Sequence, residues 1–249
     1  MSGKKAAAVV EATLADAADL VITRLDAFLS CPDDIETNHK FRVSIRTLRG
    51  LVAFLEPWQK PKQSKRVQRK LKKVVKATSR LRELDVLAEL GKKLRPDDVE
   101  LIAFLESEAA SERTRVHEVL SDGKTRSKIR SVADDLHAVA WKHDFDAHEV
   151  RLRFDDLVDG LQADLDNLDI DDYELVHSVR KRAKQVRYVA EKLNPVLGDD
   201  VVAIAKHMKS QQDHLGALCD ANVNRTLIEG FLTRENLSPT LAASLSELA

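Results

Sequence analysis

His39-Lys40-Phe41-Arg42-Val43-Ser44-Ile45-Arg46-Thr47-Leu48-Arg49 and His177-Ser178-Val179-Arg180-Lys181-Arg182-Ala183-Lys184-Gln185-Val186-Arg187 share one spacing, one copy in each half of the chain. In each, a histidine leads three cations at offsets of three, seven and ten: Arg42, Arg46 and Arg49 after His39, and Arg180, Lys184 and Arg187 after His177. At about 100° per residue these offsets fall within roughly 80° of a helical wheel. Each copy is therefore a helix with one cationic edge. Phe41, Ile45, Leu48, Val52 and Leu55 fill the opposite side of the first, and Val179, Ala183, Val186, Ala190 and Leu193 that of the second. A cationic stripe used twice suits a polyanion.

Working outward, the charge of the whole chain conceals a segregation. The formal net charge is −1 over 249 residues. Residues 39–82 carry 15 Lys+Arg against one acid, Glu56, whereas residues 83–176 carry 12 Lys+Arg against 25 Asp+Glu, and residues 177–209 carry 8 against 3. Such blocks create a focused positive field on a neutral protein. Gly 8, Pro 6 and 4% aromatics, with no sustained period-2 alternation, predict an all-α chain without sheet. Cys31 and Cys219 match no metal or redox spacing. No apolar run is long enough to span a bilayer, and no apolar signal segment precedes a cleavage site, so a cytoplasmic protein is expected, with no membrane partner.

Helix signals divide the chain further. A first helix is expected from Ala6 to about Leu29, stopped at Pro32. Thr37 or Asn38 can cap a second, ending at Pro57; Pro61 can start a long third helix reaching Leu90, with Gly91 as its stop; Pro96 opens a fourth, ending near Gly123. The remainder predicts an extra helix over 125–142, then helices over 146–167, 172–194 and 199–220, a bend near Asn222, and a last helix capped at Ser238. Sliding the first three helices along the chain until His39 falls on His177 lays them on 146–167, 172–194 and 199–228. The expected fold is two pseudo-symmetric, internally duplicated antiparallel helical bundles in a single domain over 1–249. One four-helix half spans 6–122, and a second half over 123–249 carries the extra leading helix. The acidic stretch Asp164–Glu174 reads as a loop and cap at a helix N-terminus.

The chemistry of the stripes is anion recognition. Arginine presents a planar fork of donors matched to phosphate oxygens, lysine a mobile point charge, and histidine a donor whose pKa a polyphosphate would raise. On the following helix Lys65, Arg69, Lys72 and Lys76 share an arc of about 60°. Its counterpart carries Lys206 and Lys209, with His214 close behind.

Four blocks, in order, resemble the CHAD domain, the conserved histidine α-helical domain. They are His39 to Arg49, Leu81-Arg82-Glu83-Leu84-Asp85-Val86, His177 to Tyr188, and Leu215-Gly216-Ala217-Leu218-Cys219-Asp220. The resemblance covers about residues 8–235. It implies paired helical bundles around a basic cavity or groove, binding of inorganic polyphosphate, and association with polyphosphate granules. Carried over by position, the phosphate-facing set is His39, Arg42, Arg46, Arg49, Lys72, Arg82, His177, Arg180, Lys184, Arg187 and Lys209. The stripes add Lys65, Arg69, Lys76, Lys181 and Lys206. The chain departs from the family pattern at Thr78-Ser79, where a Leu-Gly pair is usual, and at Glu83, where Asp is usual.

No nucleophile, base and orienting acid come together in these blocks, and no β-barrel pattern accompanies them, so a binding protein without enzymatic activity or cofactor is expected. Nucleic acid or another polyanion is the alternative partner, disfavoured because only Phe41, Phe54, Trp58 and Tyr188 offer stacking near the basic segments. His137, His143 and His148 lack paired helical metal spacing, so no metal is expected. A purely structural scaffold and an unidentified protein partner for the acidic half complete the alternatives.

Overall fold

A computed structural model describes residues 2–249 as ten helices. They are α1 (Gly3–Ser30), α2 (Ile35–Phe54), α3 (Pro61–Ala77), α4 (Ser79–Leu94), α5 (Val99–Ser121), α6 (Gly123–His137), α7 (Ala147–Asp166), α8 (Tyr173–Leu197), α9 (Val201–Leu232) and α10 (Pro239–Leu248). Among the described residues the only β pairing is an isolated bridge between Gln59 and Trp141. The all-α expectation holds.

The two histidine helices, α2 and α8, pack directly on each other. All five residues expected on the apolar side of α2 and all five on that of α8 are fully buried. Each large aliphatic or aromatic side chain removed from water this way contributes about 1.5–3 kcal/mol before entropy is counted. The main core is continuous from Ala6 on α1 to Cys219 on α9, so the expected halves 6–122 and 123–249 share it. A second cluster joins α4, α5, the end of α9 and α10 through Leu84, Leu101, Phe231 and Leu245.

Several boundaries differ from expectation, each for a local reason. Asp34, not Thr37 or Asn38, caps α2, accepting from the Glu36 amide at 3.0 Å. The Thr37 hydroxyl turns back to the Cys31 and Asp34 carbonyls. The long third helix breaks at Thr78 into α3 and α4. There the Val75 carbonyl accepts from the Arg42 guanidinium (3.0 Å) and the Ser79 hydroxyl (2.9 Å). Side chains thus compete for an acceptor that a continuous helix would give to a backbone amide. Gly91 is no stop. It lies inside α4, where an added Cβ would come within 2.9 Å of Leu105 on α5.

The extra helix α6 ends at His137 instead of Lys142 because the next residues pair with the α2–α3 connection. The Lys60 amide donates to Ala140 (2.9 Å) and the Lys142 amide to Trp58 (2.7 Å). Trp58, Trp141 and Phe145 pack over this strap. Helix α9 runs unbroken through Asn222, where an interruption is expected from the sequence. Its second half holds Leu227, Ile228 and Phe231 in the α4–α5–α10 core. The acidic loop behaves as expected, with Asp172 capping α8 through the Leu175 amide at 3.0 Å.

Candidate anion-binding cavity

Because α2 and α8 meet along their apolar sides, their cationic edges are brought to one opening, closed by α4 and α9. The opening comprises two contiguous compartments of about 400 and 460 Å³. Arg42, Arg46, His177, Arg180 and Lys184 line both. His39, Arg82 and Arg187 line only the first, and Arg49 and Lys181 only the second. Two independently expected stripes, one from each half of the chain, thus become facing walls.

Eight Lys and Arg side chains line the cavity against two acids, Glu83 and Asp220. The compensation those acids provide is loose. Arg180 lies 3.6 Å from Asp220, and Arg187 lies 3.6 Å from Glu191 outside the cavity. Arg82 Nη1, Arg180 Nε, Arg187 Nε and His177 Nδ1 are buried without a hydrogen-bond partner among the described residues. Buried polar groups are normally paired, and an unpaired one costs about 1–3 kcal/mol. The same walls hold two buried unpaired amide oxygens, Gln212 Oε1 and Asn224 Oδ1, but three of the six unpaired groups are guanidinium N–H donors, which suit an acceptor-rich ligand.

The protonation equilibria carry the same strain. Burial, reinforced by Arg180 and Arg46, drives the Lys184 ammonium down to about 7. Burial, then Arg46, lowers Arg42 to about 9. His39 is pushed below its ordinary value by burial and then Arg82, and His177 by burial and then Lys181. One turn before each, Glu36 and Glu174 pull weakly the other way. Both imidazoles are therefore mainly neutral at pH 7.

The cationic residues do different work. Arg42 is 5% exposed and bonded to Thr78 Oγ1 at 2.7 Å as well as to Val75, so it anchors the α3–α4 junction to α2. Arg49 is held by Gln68 at 3.2 Å, and Gln68 donates back to the Arg49 carbonyl at 2.8 Å. Arg46 has no ion pair or hydrogen bond among the described residues, and burial lowers its pKa. Glu83 reaches the cavity, and Asp85, two residues on, is buried and paired with Arg113 of α5 at 2.7 Å. That pair secures the segment carrying Arg82.

Six expected residues stand outside this cavity. Lys65, Lys72 and Lys76 are exposed on α3, and Lys206 and Lys209 on α9. Arg69 lines a separate depression. The sparse stripe on α9 faces away because Ala205 and Met208, beside the lysines, are buried. What α9 does present is Gln212, Gly216, Asp220, Val223 and Asn224. Gln212, Asp220, Val223 and Asn224 line the first compartment, and Gly216 packs against Arg180. Their three- to four-residue spacing was a usable signal, but a face of amides and one acid carries no charge run to single it out. Tyr173, its ring 5.8 Å from the His177 ring, was also missed.

Known proteins share features with this chain at the level of sequence and of fold. A sequence model of one protein family, described as the CHAD domain, matches residues 12–229. A crystal structure of the CHAD domain from the plant Ricinus communis superposes with a TM-score of 0.80 at 18% identity, covering 96% of this chain and 84% of that one. PptA from Streptomyces chartreusis superposes with a TM-score of 0.69 at 14% identity, covering 96% and 91%. Comparison with curated protein sequences finds no match.

Proposed function

The chain belongs to the CHAD domain family, and from that premise and its cavity we propose that it binds inorganic polyphosphate between α2 and α8. The observation that carries this reading is a cavity with eight Lys and Arg against two acids, its walls holding three buried guanidinium N–H groups without a hydrogen-bond partner among the described residues. A linear polyphosphate supplies what the cavity is short of: closely spaced negative charge and acceptors at every unit. Arg46, Arg180 and Arg187 are assigned to phosphate oxygens, with Arg82, Lys184 and the two histidines completing the walls. Arg42 and Arg49, held by protein groups, shape the site and contribute field.

We assign binding without turnover. Glu83 and Asp220 are interleaved with guanidinium groups, which repel a divalent cation. Through such binding the protein would associate with polyphosphate granules. The apolar and aromatic content of the cavity, essentially Tyr173, Tyr188, Val43, Val86 and Val223, offers little stacking for bases.

Calorimetric titration with long-chain polyphosphate at two salt concentrations, with duplex DNA and single-stranded RNA as competitors, tests the reading. Saturable polyphosphate binding that excess nucleic acid does not displace, and that Arg46→Ala with Arg187→Ala abolishes while helicity is kept, supports it. Displacement by either nucleic acid at equal phosphate concentration would reduce the cavity to a general polyanion surface.

A further inference from the structure

A second depression, about 420 Å³, lies on the far side of α3, between α3, α5 and α6. Arg69, Lys70, Lys73 and Lys128 form its rim, and no acid lines it. Lys70 is already engaged, donating to Ser131 at 2.8 Å and pairing with Asp135 at 3.3 Å. Arg69, Lys73 and Lys128 are exposed and have no ion pair among the described residues. The floor is apolar, made of Val74, Ala77, Val119 and Leu120. A low-dielectric floor under charges of one sign focuses their field outward.

The position of this depression relative to the main cavity follows from the α3 wheel. Gln68 and Val75 face the main cavity, whereas Val74, Lys73 and Lys70 face the depression. At about 100° per residue, the solvent-side arc from the first set to the second passes in order Lys72, Lys65, Lys76 and Arg69. Lys65, Lys72 and Lys76 are exposed and likewise without ion pairs among the described residues. The α3 cations that fail to reach the cavity are thus those that bridge it to the outer depression.

Resting on the reading that the main cavity takes polyphosphate, we propose that the ridge of α3 is a second subsite, which only long polyphosphate reaches. A chain leaving the cavity beside Gln68 crosses the α3 ridge at Lys72, with Lys65 and Lys76 flanking the crossing along the helix axis, and ends on Arg69, Lys73 and Lys128. A short oligophosphate fills the cavity alone. A long chain gains the outer contacts at the high effective concentration set by its tether.

The experiment compares tripolyphosphate and long-chain polyphosphate on the intact protein. One variant combines Arg69→Gln, Lys73→Gln and Lys128→Gln. A control combines Lys4→Gln, Lys5→Gln and Lys192→Gln, exposed lysines that line neither cavity. The outer variant is expected to bind tripolyphosphate within about twofold of wild type but long chains at least about tenfold more weakly. Its plot of log affinity for long chains against log salt should be shallower by about 2, from three lost phosphate contacts. The control should match wild type on both ligands. Equal loss on both ligands, no loss on either, or the same loss in the control would overturn the proposal. If wild type binds tripolyphosphate and loses it with Arg46→Ala, the cavity stands whatever the outer variant does. If wild type binds neither ligand, both readings fall.

Discussion

Arg42 and Arg46 sit one turn apart on α2 and face the same cavity, yet the structure gives them opposite energetic roles. Arg42 satisfies Thr78 and the Val75 carbonyl from a buried position, so removing it leaves acceptors stranded. Arg42→Met is expected to lower unfolding free energy by about 1–3 kcal/mol. Arg46 has no such partner, and burial disfavours its charge by more than Tyr188 and Asp220 nearby offset. Arg46→Met is therefore expected to leave stability unchanged or to raise the melting temperature, while weakening polyphosphate binding. Chemical denaturation of both variants, alongside titration, checks the contrast, and a comparably large destabilisation by Arg46→Met would refute it. Such opposition between stability and function is common where a site needs uncompensated charge.

Lys184 makes the same point through pH. Its pKa is depressed to about 7 by burial and then by Arg180 and Arg46. The unfolded chain, with an ordinary lysine, binds more protons above that value. Stability contributed at this position therefore falls as pH drops from the ordinary lysine range toward 7, and the full penalty is present below it. Bound polyanion favours the charged form, so binding takes up protons and tightens as pH falls from 8 to 6. His39 and His177, also depressed, add to this at the lower end of the window. We expect Lys184→Met to flatten most of the change between pH 8 and 7. Calorimetry in buffers of different ionisation enthalpy would count the protons. An equally steep pH dependence in the variant would remove Lys184 from the linkage.

At the scale of elements, close helix approach and helix interruption place the charged groups. Gly216 lets α9 come against α8, since an added Cβ would meet Arg180 Nη2 at 3.3 Å. Gly216→Ala is expected to displace that guanidinium by a few tenths of an ångström and to weaken binding several-fold while costing little stability. Titration and thermal melting together separate that from a folding defect. The break at Thr78 matters as much, because Arg82 and Glu83, in the first turn or so of α4, line the cavity. Thr78→Val removes the hydroxyl that receives Arg42 and is expected to cost about 1–2 kcal/mol. The double variant with Arg42→Met should be less destabilised than the sum, the signature of a direct pair.

The helix boundaries show where one-dimensional signals run out. Gly91 and Asn222 are helix-ending residue types, but packing of α4 on α5 and of α9 on α10 overrides them. Thr78 carries no strong stop signal, and the helix ends there because Arg42, on the preceding helix, claims the Val75 carbonyl and the Thr78 hydroxyl.

At the scale of the whole molecule, charge is sorted by location. Basic residues from two distant segments converge on one cavity, while much of the excess acid lies on α7 and the loop after it. The formal net charge of −1 therefore coexists with a strongly positive interior surface. Affinity for polyphosphate is expected to fall steeply and linearly in log salt, and saturating ligand to raise the melting temperature by mass action. A salt-independent affinity would contradict an electrostatic cavity.

Periodicity and spacing alone determined the helical class, the two His-led stripes and the buried sides opposite them, because a helix maps residue offsets onto angles whatever surrounds it. The convergence of Arg46, Arg180, Lys184 and Arg187 on one opening was decided in three dimensions. So were the outward turn of Lys206 and Lys209 and the recruitment of Gln212, Asp220 and Asn224. The reason is physical: a wheel fixes which residues share a face, but only the burial of the other face against a particular neighbour fixes what that face looks at.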